Sequence, residues 1–71
     1  MPFLVIVEEG PESFSAYAPD LPSCVAVGET RAQTLAVMHE AIVFHLEGLK
    51  AAGQAVPKPI SSVETVEVQM K

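Results

Sequence analysis

Two prolines within four residues, in Tyr17-Ala18-Pro19-Asp20-Leu21-Pro22-Ser23-Cys24, set the main limit on how this chain can fold. Neither proline can donate a ladder hydrogen bond, and each holds the residue before it in extended or turn backbone. The chain therefore divides here. Two short β-patterned runs come before the stretch, and the only long helical pattern comes after it. Asp20 is expected to cap the bend with an Asx-type bond, and Leu21 to set an apolar anchor between the prolines. The plain reading is a rigid connector between strands. The sharper one is a shaped surface loop for a protein partner.

Phe3-Leu4-Val5-Ile6-Val7 is apolar on both faces, which suits a central strand. Gly10-Pro11 breaks it into a turn. Ser13 to Ala18 then alternates, with Phe14, Ala16 and Ala18 on one face and Ser13, Ser15 and Tyr17 on the other, as in a half-buried hairpin strand. Cys24-Val25-Ala26-Val27 reads as a third strand ended by Gly28. Thr30 and Gln33 have the spacing of a capping box. The helix they open is expected from Arg31 to about Ala52, with Gly53 as the residue that stops it. Its apolar face is Thr34, Leu35, Met38, Ile42, His45, Leu46 and Leu49. Val37 and Phe44 lie off that face, beside polar residues, and are candidates for an oligomer interface. After the Pro57-Lys58-Pro59 connection, Val66, Val68 and Met70 alternate with Glu67 and Gln69 in a last strand pattern.

These elements predict an α+β fold, β-β-β-α-β, over residues 1–71 as a single domain with no DNA-binding module after the last strand. A right-handed crossover from the antiparallel meander places strand four beside strand one, giving a mixed four-stranded sheet of order 3-2-1-4 with the helix on one face. The other face carries either Phe3, Val5 and Val7 or Leu4 and Ile6, too apolar to remain in water. A chain of 71 residues buries only about 60% of its unfolded surface, and one cysteine excludes an internal disulfide. A homo-oligomer, dimer or tetramer, is the expected supplement.

The net charge is −5, nine acids against Arg31, Lys50, Lys58 and Lys71. Four scattered bases cannot track a phosphate backbone, so no nucleic acid is expected to bind this chain alone. An acidic surface favours a basic protein partner. The run from Phe3 to Val7 is too short for a signal peptide or a membrane span, so no membrane association and a reduced, cytoplasmic setting are expected.

At Tyr17-Ala18-Pro19-Asp20-Leu21-Pro22-Ser23-Cys24, Gly28-Glu29-Thr30 and Glu40-Ala41-Ile42, the sequence resembles the HicB-like antitoxin family. The family's wording is an aromatic followed by Pro-Asp-Leu-Pro-Gly-Cys, then Gly-Asp/Glu-Thr, then a helix with Glu-Ala-Ile; Ser23 stands where Gly is usual. The resemblance implies a truncated ribonuclease-H-like domain, and a type II toxin–antitoxin role in which a small basic messenger-RNA-cleaving toxin of the HicA type is bound and held inactive. The alternatives are a solitary oligomeric domain without a toxin and, last, a vestigial nucleic-acid binder.

No catalytic constellation is expected, and no cofactor or metal. Nucleases of ribonuclease-H ancestry need a carboxylate in the middle of strand one, where this chain has Val5. His39 and His45 are six apart and take different sides of the helix, unlike a chelating i, i+4 pair. The expected partner surface takes Glu8, Glu9 and Asp20 as a charged fringe, with Tyr17 and Leu21 as apolar contacts.

Overall fold

The structure, a computed structural model, describes residues 2–70. Three strands, β1 (Ile6–Glu9), β2 (Phe14–Ala18) and β3 (Leu21–Gly28), precede one helix, α1 (Arg31–Ala51). The strands form an antiparallel meander of order β1-β2-β3. Ile6 pairs with Tyr17 and Glu9 with Phe14 in the first hairpin, and Phe14 pairs with Gly28 in the second.

The alternation expected in β2 holds. Ala16 and Ala18 face the helix at 2% and 1% exposure, while Tyr17 faces away at 40%. The core that results is small: Ala16, Ala18, Leu21, Cys24, Ala26 and Met38 are buried, with Phe3, Val5, Val7, Ile42 and Leu46 packed partly against them. Alanines on the sheet let the helix approach closely, and at Gly28 the approach is closest. A Cβ there would lie 2.6 Å from Thr34 Oγ1.

The helix begins as the sequence predicts. Thr30 is the N-cap, and its hydroxyl accepts the Gln33 N–H at 3.1 Å. Such a cap is worth about 1 kcal/mol. The return reach of Gln33 lands one residue earlier than a standard box, with Oε1 accepting the Glu29 N–H at 3.1 Å. Thr34, completely buried, donates its hydroxyl to the Thr30 carbonyl at 2.8 Å. At the other end Gly53 takes φ +73°, the Gly53 N–H donates to the Lys50 carbonyl and the Gln54 N–H to the Leu49 carbonyl. These two bonds form a Schellman ending.

The first strand runs Ile6–Glu9 at the edge of the sheet rather than Phe3–Val7 at its centre, and three further expectations are corrected. The first concerns the prolines. Leu21 and Pro22 belong to β3, and the connector is only the two-residue turn Pro19-Asp20 between Ala18 and its partner Leu21. The β3 register shifts between Tyr17 and Ala18, so Pro22, Ser23 and Cys24 bulge out of the ladder, where a missing N–H costs no bond. The second concerns the fourth strand. No strand forms among the described residues beyond α1, so the sheet has three strands rather than four in the order 3-2-1-4. Pro57 and Pro59 break the connection, and Asp20 holds Ser61 at the β2–β3 turn, away from the free edge of β1. The third concerns Leu35, expected on the core face and found 41% exposed. The helix lies over β3 and β2 rather than β1, which leaves Leu35 on the rim of an open groove beside Phe3 and Val5.

Candidate functional site

Strand pairing decides which residues share the sheet face turned away from the helix. Ile6, Tyr17 and Val25 stand in one row across the three strands, and Glu8, Ser15 and Val27 in the next. Val25 and Val27 are 64% and 67% exposed, and Tyr17 projects between them and β1. The face is apolar at its centre with a carboxylate at one margin. An apolar centre with a polar rim is the anatomy of a protein-binding surface.

Of the five residues expected at a partner surface, Tyr17 and Glu8 come together on this face. Glu9 takes the opposite side of β1, since successive residues of a strand alternate. Leu21 is buried to 1% in the core and offers no exposed apolar contact. Asp20 is committed to its own chain. Its Oδ2 accepts the N–H groups of Ile60 and Ser61, each at 3.0 Å, and Oδ1 accepts the Ser61 hydroxyl at 2.8 Å. The Asx-type cap expected from Asp20 is thus replaced by a clasp reaching forty residues along the chain. Val25 and Val27 escaped the sequence reading because Cys24-Val25-Ala26-Val27 is continuously apolar. Only the small size of Cys24 and Ala26 marked which pair faces the helix.

The clasp depends on charge. The Ser61 N–H and then its hydroxyl lower the Asp20 carboxyl from its ordinary value, against an opposing effect of burial, with the smallest contribution from the Ile60 N–H. A depressed carboxyl pKa stabilises the folded arrangement above the ordinary value and loses that contribution as pH falls through the lowered one. The Ser61 amide resonance is therefore expected to hold a bonded shift above about pH 4 and to move towards the unstructured value on further acidification. Asp20→Ala should give the released shift at every pH. A Ser61 amide indifferent to acid would show that the clasp does not form in solution.

Elsewhere the side chains offer structure more than chemistry. Cys24 is buried, its thiol pushed up by desolvation against a smaller lowering by the Ser23 hydroxyl, and it points at the Ala41 carbonyl 3.9 Å away. A raised thiol is a poor nucleophile. Among the described residues no group of three or more His, Cys, Asp or Glu is placed to hold a metal ion. Val37 and Phe44 are exposed as expected, at 46% and 80%. No helix among the described residues is long and apolar enough to cross a membrane.

The family model described as "HicB_like antitoxin of bacterial toxin-antitoxin system" matches residues 2–71. An "uncharacterized 14.9 kDa protein in rep-hol intergenic region" of Haemophilus phage HP1 (strain HP1c1) is 29% identical over 58 residues, covering 82% of this chain and 44% of the phage protein. The chain thus spans less than half the length of that relative. No solved structure matches it. The family match runs along almost the whole sequence, through the Pro-Asp-Leu-Pro turn, the capped helix start and the segment that Asp20 clasps, and the chain belongs to the HicB-like antitoxin family of bacterial toxin–antitoxin systems.

Proposed function

We propose that this chain is the binding domain of a type II antitoxin that occludes a small basic messenger-RNA-cleaving toxin of the HicA type in the cytoplasm. The family match over residues 2–71 carries the antitoxin reading, and the net charge of −5 supports a basic partner. The face of Ile6, Tyr17, Val25 and Val27 is where the toxin seats, with Glu8 at its margin and Glu9 on the opposite side of the last β1 position. Asp20 and Leu21 act from behind this face, fixing the turn that ends β2. The domain acts by binding and not by catalysis. It works as a homo-oligomer, dimer or tetramer, and Val37 and Phe44 lie on the helix side available to such a contact.

Co-purification with a small basic toxin of the HicA type tests the reading. Tyr17→Ala should weaken the complex about 30-fold, the size of a hot-spot loss, while the free chain keeps its melting temperature. Glu8→Gln should chiefly slow association and flatten its salt dependence. Unchanged affinity in Tyr17→Ala and Val27→Asp together would move the interface off this face.

A further inference from the structure

Residues 65–70 carry a strand pattern, which Glu64 on the apolar side ends, and leave it in water. Val66, Val68 and Met70 share one side and are 81%, 66% and 88% exposed. The segment starts from a fixed point, since Asp20 holds Ser61 by both its N–H and its hydroxyl. From there it leaves the body. The longest dimension of the molecule is 53 Å, and its radius of gyration is 14.5 Å. A compact chain of this length has a radius of about 11 Å. The accessible surface tells the same story at 5708 Å². A folded monomer of this mass exposes about 4,300 Å². The excess, roughly 1,400 Å² per chain, is larger than the roughly 800 Å² per partner that a standard specific interface buries.

The sheet, meanwhile, has an edge with a groove beside it. Among the described residues only β2 pairs with β1, so one row of β1 N–H and C=O groups is unpaired. Next to that row the helix stands back over β2 and β3, leaving a hollow of about 380 Å³ lined by Phe3, Val5, Leu35, Met38, Ile42 and Leu46. A strand laid along β1 with apolar side chains on its inner face would satisfy both the edge and the hollow. The segment ending at Met70 has that chemistry, and none of its residues lines the hollow of its own chain.

We propose that two copies of this chain exchange these segments, residues 65–70 of each adding a fourth strand to β1 of the other. Val66, Val68 and Met70 enter the partner copy's groove, and Glu67 and Gln69 face outward. At about 3.3 Å per residue these six residues span roughly 20 Å, ample to cover the four residues of β1. The exchange is reciprocal, so it closes as a two-fold dimer with no open β1 edge left for further growth. Outward-facing Glu67 then joins Glu8 at the margin of the Tyr17 face, so the antitoxin surface is completed by the second copy. That last consequence rests on the antitoxin reading. The exchange itself does not, and it is tested without any toxin.

The test mixes isotope-labelled and unlabelled full-length chains, refolds them together and records isotope-filtered NOE spectra alongside sedimentation. Contacts from the Val66 and Val68 methyls to Phe3 and Val5 are expected between copies, in a species of twice the chain mass. Val68→Asp should abolish those contacts and return the species to 7.6 kDa, whereas Glu47→Gln, on the exposed side of the helix, should change neither. The same contacts found only within one copy would overturn the exchange in favour of a strand added to its own sheet. A 7.6 kDa species, or a dimer whose residues 65–70 make no contact with β1, would overturn it as well.

Discussion

Leu21→Ala is expected to lose about 2–5 kcal/mol of stability, the cost of truncating a buried leucine whose surroundings close only partly around the space. A chain of this size holds roughly 4–10 kcal/mol in all, so the variant should be close to unfolded at ambient temperature. Leu21 is 1% exposed and, with Met38 and Thr34, among the largest fully buried side chains. The other buried apolar residues are three alanines and one cysteine, which have little mass with which to refill a cavity. The melting temperature should fall by more than about 10 °C, at roughly 4–8 °C per kcal/mol for a domain of this length. Pro22→Ala, one residue away and exposed, should shift it by far less. A Leu21→Ala chain that melts like wild type and fails only in binding would return Leu21 to the surface, where the proline pattern first suggested it.

That contrast shows what kind of information the sequence held. Signals complete within a few residues came through: Thr30 with Gln33 fixed the helix start, Gly53 its end, and the alternation of Phe14, Ala16 and Ala18 the inward side of β2. Leu21 did not, because its burial follows from a three-residue bulge in β3, and a bulge is a property of two strands together. The fourth strand failed for the same reason. Val66-Glu67-Val68-Gln69-Met70 states that a strand would be amphipathic and says nothing of which edge it joins. Where that segment goes depends on Asp20 and Ser61, forty-one positions apart. The candidate binding face was half legible. Tyr17 could be placed by alternation, but Val25 and Val27 join it only once β3 is registered on β2.

Gly28→Ala is expected to destabilise the chain by about 1–3 kcal/mol, the range for forcing atoms into a site already filled. The glycine is not there for its backbone freedom, since among the described residues Gly53 alone has a positive φ. It is there because nothing larger fits where β3 runs into the first turn of α1. An added Cβ would meet Thr34 Oγ1 at 2.6 Å, Thr34 N at 3.0 Å and Thr34 Cα at 3.2 Å. Two of those atoms are backbone, so a rotamer change cannot relieve the crowding. The Thr34 hydroxyl is also held by the Thr30 carbonyl, and the Thr34 N–H by the same oxygen. Moving Thr34 aside therefore strains the N-cap along with the packing. Gly48→Ala supplies the opposite sign. Gly48 lies within the helix, exposed, with nothing within 4 Å of an added Cβ, so alanine should stabilise by up to about 1 kcal/mol. Urea melts of the two variants should bracket wild type. If Gly28→Ala were as stable as wild type, the helix could shift freely on the sheet, and Thr34 would not be the point at which the two are locked together.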